Sequence, residues 1–328
     1  MMLLVVSGRR GTGSHRFLKP AYACAAMSTE KLSPFQTLKQ KVLDPFTFGA
    51  KELIRENREA WASRSKLQAT PGILLSRREM FVLRQAPRDL IKSLPLLIAF
   101  AVPLVGYFAP VLGYYYPKWT LPWQFWSADH KAQFFEADVR QKAAFYPDIA
   151  RRIAAIDTSN TFFQDVAAVY AKDGAATHDK MDPKILPEFN DFFAGPADLS
   201  KLPTAHLRVL IRATSASPLV HIYAYLPKTN LVERLERRAS EISVDDLLLL
   251  QEGGVARLSL QELVFACEER GLVVSSYKNE AACRVALEEW LSMYDEKLPT
   301  AHAASLVLHA PILGDFDGDV DEAPVAAA

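Results

Sequence analysis

Asp89 is the acidic residue nearest to a long uncharged stretch, residues 94–116, and is the candidate ion-binding or switch residue of this sequence. A carboxylate beside a membrane segment can bind a cation or take up a proton, and ionisable groups in such places mark ion pathways. A ring of Asp89 side chains at a pore mouth would need several copies of the chain. The alternative is an ordinary helix-surface pair with Lys92, worth only about 0.2–0.5 kcal/mol. Both interpretations stay open.

A run of basic residues before the same stretch forms the second candidate site. Its members lie opposite the apolar side chains of a predicted helix: Arg77, Arg78, Arg84, Arg88 and Lys92. Basic clusters next to a bilayer bind anionic lipid headgroups. An ordinary solvated helix face has the same composition, and charge alone does not separate the two interpretations.

The sequence carries no catalytic or metal-binding motif. There is no HExxH pair, no glycine-rich phosphate loop and no nucleophile motif, and the seven histidines are scattered. The cysteines, Cys24, Cys267 and Cys283, show neither CxxC spacing nor a disulfide framework. Aspartates alternate after residue 314, but the glycine in this run comes too early for an EF-hand loop. We therefore predict a protein that is not an enzyme and holds no cofactor or metal.

The uncharged stretch next to these candidates is long enough to cross a membrane. Residues 94–116 are 23 residues without a charge, and a helix of that length spans ~34 Å, against a bilayer core of ~30 Å. Tyrosines and tryptophans crowd its C-terminal end, as in an interfacial belt. The sequence predicts a single transmembrane helix here. The alternative is a buried helical hairpin of a soluble protein, broken at its prolines.

Prolines interrupt the predicted transmembrane helix at regular intervals. Pro103, Pro110 and Pro117 are seven residues apart, which places them near one helix face, and each removes a helix hydrogen bond and bends the axis. We predict these three residues as kinks of the helix. Their face could pack against a second copy of the chain, giving a homo-oligomer, or the prolines could simply bend a single anchor.

The N-terminal segment is basic and free of acidic residues. Residues 1–29 contain no Asp or Glu, which is the composition of a mitochondrial transit peptide, predicted here to cover residues 1–30. A secretory signal with the short apolar core MMLLVV, or a disordered N-terminus, are the alternatives. Residues 31–93 follow as juxtamembrane amphipathic helices. In one of them Leu53, Ile54 and Trp61 share a face, with Lys51, Arg55 and Glu59 opposite, and the apolar face can rest on the protein or on the membrane surface.

Helical patterns also follow the uncharged stretch, so the predicted class is all-α. The clearest unit, residues 258–291, starts with a Ser259–Glu262 capping box and has Gly271 after its first helix. This unit resembles a SAP-type helix pair, but six glutamates against three basic residues give it a net charge of −3, so we expect no DNA binding. The predicted helical domain covers residues 127–313, and residues 314–328 are predicted as a disordered acidic tail.

Two sets of motifs occur in order along the chain. Residues 75–125 contain a Ser-Arg-Arg-Glu helix start, an Asp-Leu before the uncharged stretch, a Val-Pro within it, and a Tyr-Pro followed by a Leu-Pro beyond it. Residues 247–308 contain LLLLQEGGVARLSLQELVFACEERGL and then EEWL and KLPTAHAASLVL. In these motifs and their spacing, residues 45–313 resemble the LETM family of mitochondrial inner-membrane proteins.

The resemblance implies a fold, a location and a partner. The expected fold is a single transmembrane helix followed by an all-helical, 14-3-3-like domain, often called the LETM ribosome-binding domain. The expected location is the mitochondrial inner membrane with the C-terminal domain in the matrix, and the expected partner is the mitochondrial ribosome, which the basic run before the stretch could contact. Longer members continue into a coiled coil and an EF-hand, so this sequence resembles the short branch and calcium sensing is not carried over.

Two functions follow as hypotheses. The first is a membrane-anchored protein that docks mitochondrial ribosomes and supports inner-membrane organisation and respiratory-chain biogenesis. The alternative is a potassium or calcium against proton exchanger that acts as an oligomer. Two indicators of membrane topology disagree. The excess of basic residues before the stretch would place that side in the matrix under the positive-inside rule. The resemblance instead places the C-terminal domain there, and we follow the resemblance.

Overall fold

The computed structural model describes residues 44–70, 72–101, 113, 115–173, 180–215, 220–294 and 301–316. Within these ranges the chain is helical and holds no β-strand, and an isolated parallel bridge joins Met181 to Gly314. The all-α prediction is therefore confirmed for the described residues. The α-helices in chain order are α1 (Asp44–Ala69), α2 (Arg77–Ala101), α3 (Pro117–Thr120), α4 (Ala128–Ala143), α5 (Tyr146–Ala154), α6 (Thr161–Asp173), α7 (Asn190–Ala194), α8 (Thr204–Thr214), α9 (Val220–Tyr223), α10 (Lys228–Gln251), α11 (Leu260–Arg270), α12 (Glu280–Leu291) and α13 (Ala304–Leu313). Short 3₁₀ helices lie at Trp123–Phe125, Pro183–Phe189 and Val255–Arg257.

The uncharged stretch is described only at its two ends. Its first eight residues, 94–101, continue α2, whereas residues 102–112 and 114 lie outside the described residues, together with Pro103 and Pro110. In the part of the chain that the structure describes, every helix is too short or too polar to be a candidate membrane span. Pro117 is the first residue of α3. Proline is tolerated at this position because a backbone N–H there would have no partner within the helix. The predicted transit peptide also lies outside the described residues.

Helices α1 and α2 form an antiparallel hairpin. The Ser76–Glu79 capping box starts α2, with the Ser76 N–H donating to Glu79 Oε2 at 3.1 Å and the Glu79 N–H donating to Ser76 Oγ at 3.3 Å. Glu79 also pairs with Lys66 near the end of α1, which fixes the two helices side by side. The face of α2 that packs inward carries Val82 and Ala86, both buried.

The helical domain that follows packs around α13. Every residue of α13 after Ala304 is buried, and Trp290 of α12 is fully enclosed. The predicted helix pair of residues 258–291 is confirmed, with the capping box at Ser259 and with Gly271 at φ 76°, a left-handed conformation that suits glycine. The packed region continues past residue 313, because Phe316 is buried with its ring centroid 5.4 Å from that of Trp290. The rest of the predicted acidic tail, residues 317–328, lies outside the described residues.

Candidate functional site

Asp89 lies in a buried polar cluster between the α1–α2 hairpin and the segment that follows the uncharged stretch. Its side chain is buried, with 2% of the residue exposed. It accepts hydrogen bonds from Gln85 Nε2 at 2.8 Å, Trp123 Nε1 at 3.0 Å and Gln124 Nε2 at 2.6 Å. The ammonium of Lys92 lies instead over the ring of Trp126, 4.5 Å from its centroid. A helix-surface hydrogen-bonded pair between Asp89 and Lys92 is thus not what holds this carboxylate.

Glu56 of α1 is the second carboxyl group of the polar cluster. It is equally buried and accepts a hydrogen bond from Gln124 Nε2 at 2.7 Å. The single amide of Gln124 therefore donates one N–H to Asp89 and the other to Glu56. Glu56 Oε1 and Gln124 Oε1 are buried without a hydrogen-bond partner; the nearest cation, Arg78 Nη2, is 3.7 Å from Glu56 Oε1.

Burial makes both carboxyl groups easier to protonate than in water. It raises the pKa of Asp89, and the hydrogen bonds from Gln124, Gln85 and Trp123 only partly offset this effect. Burial also raises the pKa of Glu56, with the nearby charge of Asp89 acting in the same direction. Two buried acids that share one amide donor therefore take up protons at a higher pH than exposed carboxyl groups do.

The cations around the polar cluster are themselves partly buried. Lys131 Nζ lies 4.6 Å from the ring centroid of Trp123 and donates to Gln261 Oε1 at 3.2 Å. Burial lowers the pKa of both Lys131 and Lys92, while nearby carboxylates act against that shift. Each of these two lysines thus makes a cation–π contact with a tryptophan that follows the uncharged stretch, Lys92 with Trp126 and Lys131 with Trp123.

The basic run that the sequence singled out binds carboxylates of the same chain. Arg77 Nε donates to Asp245 Oδ1 of α10 at 2.8 Å, and the Arg77 backbone N–H donates to Glu252 Oε1 at 2.8 Å. Arg84 Nη1 donates to the Glu241 carbonyl at 3.1 Å. These bonds tie α2 along α10, so their donors are already occupied in the folded chain.

Two further basic residues of the run remain half-exposed. Arg88 Nη2 lies 3.2 Å from Glu241 Oε2 of α10, and Arg78 Nη2 lies 3.3 Å from Glu59 Oε2 of α1. Exposed pairs of this kind contribute about 0–1 kcal/mol each. The run as a whole therefore serves first to hold the hairpin onto the domain, and contacts to headgroups or ribosomes would have to compete with these pairs.

A buried charged network inside the domain continues from Arg77. Asp245 lies between Arg77 and Arg270, whose Nη2 donates to Asp245 Oδ2 at 2.8 Å. Burial alone would raise the pKa of Asp245, but the two guanidinium groups outweigh it and lower the pKa. Neighbouring Asp246 accepts hydrogen bonds from Trp290 Nε1 at 3.0 Å and Tyr294 Oη at 2.7 Å. No local pattern predicts this network, because its members come from four separate segments.

The outward face of α1 is the exposed basic surface of the hairpin. Lys51, Arg58 and Arg64 are exposed there and have no carboxylate partner among the described residues. Ile54 and Trp61 lie between them, and Trp61 is 69% exposed. Of the three residues predicted to share the apolar face, Ile54 and Trp61 are exposed and Leu53 is partly buried. We call Lys51, Ile54, Arg58, Trp61 and Arg64 the α1 outer face.

Metal and thiol chemistry have little support in the described parts of the chain. No group of three or more His, Cys, Asp or Glu side chains within them is arranged to hold a metal ion. Cys267 and Cys283 are buried as free thiols, and the Cys267 Sγ donates to the Cys283 carbonyl at 3.4 Å. His206 and His309 form a buried pair with their Nε2 atoms 3.0 Å apart.

The fold and the polar cluster define an all-helical protein in which a hairpin beside an uncharged stretch is bound to a larger helical domain. The family model described as LETM1-like, RBD matches residues 75–313. The chain therefore belongs to the LETM1-like RBD family, and the resemblance seen in its motifs is confirmed.

Two relatives show how far the similarity extends. LETM1 domain-containing protein 1 of Xenopus tropicalis is 28% identical over 277 residues, which cover 82% of this chain and 75% of that protein. The protein of the same name from Bos taurus is 27% identical over 248 residues, which cover 72% of this chain and 63% of that protein. The chain thus matches less than two thirds of the bovine relative's length.

Proposed function

We propose that this chain is a mitochondrial inner-membrane protein, anchored by residues 94–116, whose helical domain and the α1–α2 hairpin bound to it face the matrix and dock mitochondrial ribosomes. In this role it binds rather than catalyses, and it supports inner-membrane organisation and respiratory-chain biogenesis. The observation that carries the proposal is the match of residues 75–313 to a family whose description contains RBD, for ribosome-binding domain.

The α1 outer face is the surface we assign to the ribosome. Its three basic side chains are exposed and unpaired, whereas Arg77 and Arg84 of the basic run are occupied by contacts to α10. Ribosomal RNA presents a dense array of phosphates, which Lys and Arg neutralise with release of counterions. An exposed aromatic ring such as Trp61 can add stacking on an unpaired base. The unit of residues 258–291, with its net charge of −3, is a poorer surface for RNA.

Co-sedimentation of the detergent-solubilised full chain with mitochondrial ribosomes tests this proposal. A triple variant, Lys51→Glu with Arg58→Glu and Arg64→Glu, should lose binding, and wild-type binding should weaken steeply with added salt. The matched control reverses three exposed lysines elsewhere on the domain, Lys184, Lys201 and Lys278. Equal binding by both triple variants and the wild type would contradict the assigned surface, and no co-sedimentation by the wild type at low salt would contradict ribosome docking.

A second candidate function is exchange of a cation against protons, and the polar cluster is the observation that favours it. The pKa values of Asp89 and Glu56 are both raised, Asp89 lies five residues before the uncharged stretch, and the two carboxyl groups share the Gln124 amide. Exchange through the bilayer would require an oligomer in which the ends of α2 surround a path. Ion flux into vesicles that contain the purified chain, compared with Asp89→Asn, tests this function. Flux no greater than in empty vesicles would contradict it.

A further inference from the structure

Two buried oxygen atoms of the polar cluster have no hydrogen-bond partner among the described residues, Glu56 Oε1 and Gln124 Oε1. The two residues are 2% and 3% exposed, so bulk water does not supply the missing donor. Their side chains are already joined, because Gln124 Nε2 donates to Glu56 Oε2 at 2.7 Å. A buried acceptor without a donor is destabilising. Two of them in one bonded pair of side chains call for a donor that lies between them.

A single proton on Glu56 supplies this donor. A carboxylate only accepts hydrogen bonds, whereas a carboxylic acid also carries an O–H donor. With the proton on Glu56 Oε1, the O–H donates to Gln124 Oε1 while Gln124 Nε2 keeps donating to Glu56 Oε2. The acid and the amide then form a ring of two hydrogen bonds, and both oxygen atoms have a partner. The second N–H of Gln124 remains on Asp89, at 2.6 Å.

Asp89 has the surroundings of an ionised carboxylate instead. It accepts hydrogen bonds from three side chains, Gln85, Trp123 and Gln124, and donors of this kind stabilise the charged form. Glu56 accepts from Gln124 alone. Two carboxyl groups around one amide thus have unequal surroundings, a pattern that separates the proton-carrying group from the charged one.

We propose that Glu56 is held as the neutral acid in the folded chain and that its proton acts as a latch between α1 and the 3₁₀ helix Trp123–Phe125. With the proton in place, Glu56 and Gln124 are joined by two hydrogen bonds. Without it, Glu56 becomes a second buried carboxylate on the Gln124 amide, beside Asp89, and the oxygen atoms Glu56 Oε1 and Gln124 Oε1 are both acceptors. The latch is closed when the proton is bound and opens when the proton is lost.

The charged groups around Glu56 agree with this direction. Burial raises the pKa of Glu56, and the charges of Asp89 on α2 and Glu52 on α1 act in the same sense. Arg78 of α2, 3.7 Å from Glu56 Oε1, acts against them, and Lys131 of α4 also attracts the carboxylate. The 3₁₀ helix carries no charged residue. The pKa of Glu56 stays above its ordinary value, so the proton is bound at low pH and is lost as the pH rises through the folded pKa.

The packing of α1 on the 3₁₀ helix leaves little room for a second charge. Gly49 lies seven residues before Glu56, on the same face of α1, and a Cβ atom on Gly49 would be only 2.5 Å from Phe125 Cδ1. The backbone of α1 therefore lies directly against the Phe125 ring. Close-packed interiors yield little to small shifts, and a buried charge without a partner is costly. Loss of the proton should thus loosen α1 from the 3₁₀ helix.

Infrared spectroscopy of the detergent-solubilised full chain tests where the proton lies. A protonated carboxyl group has a C=O band that a carboxylate lacks, and carboxyl-labelled glutamate or aspartate shifts the band of one residue type only. As the pH is raised, we expect the last glutamic acid band to be absent from Glu56→Gln and present in Glu59→Gln, a half-exposed control one turn further along α1.

Two infrared results would overturn the proposal. If the last glutamic acid band is the same in the wild type and in Glu56→Gln, Glu56 is ionised and a water molecule supplies the missing donor. If the last band shifts with labelled aspartate and disappears in Asp89→Asn, the proton of the polar cluster belongs to Asp89.

Hydrogen exchange tests the latch itself, with α12 in the same sample as the reference for the general effect of pH on exchange. In the wild type and in Glu59→Gln, exchange in α1 relative to α12 should speed up as the Glu56 band disappears. In Glu56→Gln it should stay slow at every pH, because the glutamine NH₂ group donates permanently to Gln124 Oε1 in place of the proton. Wild-type exchange in α1 that does not change while the band disappears would overturn the latch. Neither measurement involves ribosomes, so the outcome is separate from that of the proposed docking.

Discussion

Gln124 and Asp89, which are 35 residues apart, are joined by a buried hydrogen bond of 2.6 Å. The bond closes a loop around the entire uncharged stretch. The same Gln124 amide also donates to Glu56 of α1, so one side chain joins α1, α2 and the 3₁₀ helix Trp123–Phe125. Any movement of the membrane-proximal end must either break this bond or carry all three elements along.

Glu56→Gln should flatten the pH dependence of stability. Because burial raises the pKa of Glu56 in the folded chain, its contribution to stability is fully present below the unfolded pKa of ~4.3 and is lost as the pH rises through the folded pKa. Glutamine stays neutral, so the variant should lose less stability than the wild type between about pH 5 and about pH 8. Urea unfolding at both pH values measures the difference.

The control for this measurement is Glu59→Gln, one turn further along α1 and half-exposed beside Arg78. Its pH dependence should follow that of the wild type, because an exposed pair contributes only about 0–1 kcal/mol. A Glu56→Gln variant that loses as much stability with rising pH as the wild type would contradict the buried-acid interpretation of the polar cluster.

Arg77→Met should loosen the hairpin from the domain, whereas Arg78→Met should not. Arg77 is 12% exposed and pairs with buried Asp245, so its loss leaves that carboxylate with Arg270 alone and should cost about 1–3 kcal/mol. Arg78 is 45% exposed, pairs with Glu59 at the surface and lies 3.7 Å from Glu56 Oε1 without a hydrogen bond to it, so the expected loss is at most about 1 kcal/mol. Limited proteolysis near Gly72, between α1 and α2, measures the effect. Equal cleavage of the two variants would show that the Arg77–Asp245 pair does not hold the hairpin.

The part of this arrangement that sequence could predict is the local part. The capping boxes at Ser76 and Ser259 and the glycine stop at Gly271 were all readable, because each is set by residues three or four positions apart. Asp89 could be predicted as a candidate ion-binding residue because it is the acidic residue nearest to the stretch. Its hydrogen-bond partners Trp123 and Gln124 could not be predicted, because no local pattern indicates a contact between residues 34 or 35 positions apart.

The local sequence pattern also does not predict which face of α2 packs against the rest of the protein. The apolar side chains that the sequence analysis placed opposite the basic run include Leu90, Ile91 and Leu94, and these are exposed. The buried positions are instead Val82, Ala86, Asp89 and Ser93. In a water-soluble protein a hydrophobic pattern predicts which side chains pack inside the protein. At this end of α2, next to the uncharged stretch, lipid can cover the same side chains instead.

The buried His206–His309 pair should make the fold sensitive to mild acid. Burial lowers the pKa of His309 to about 4 and, together with the charge of His309, lowers that of His206 to about 2. A histidine with a lowered folded pKa contributes stability that is present above the unfolded pKa of ~6.5 and is lost as the pH falls towards the folded value. Unfolding of the wild type should therefore become easier between about pH 6.5 and about pH 4. His309→Gln should lose less stability over this window, although it starts from a lower value at neutral pH. A variant with the same acid slope as the wild type would contradict the assignment.

Trp123→Phe should weaken the contact between the two flanks of the stretch without emptying the space that the indole fills. Phenylalanine keeps an aromatic ring next to Lys131 and Phe265 but removes the N–H that donates to Asp89, so one buried acceptor bond is lost at a cost of about 1–3 kcal/mol. Hydrogen exchange should speed up in α2 around Gln85 and Asp89. The matched change, Trp126→Phe, removes an indole N–H that donates to the nearby Pro117 and Leu121 carbonyls, and it should leave exchange around Asp89 closer to that of the wild type. If the two variants speed up α2 exchange equally, the Trp123–Asp89 bond is not what joins the flanks.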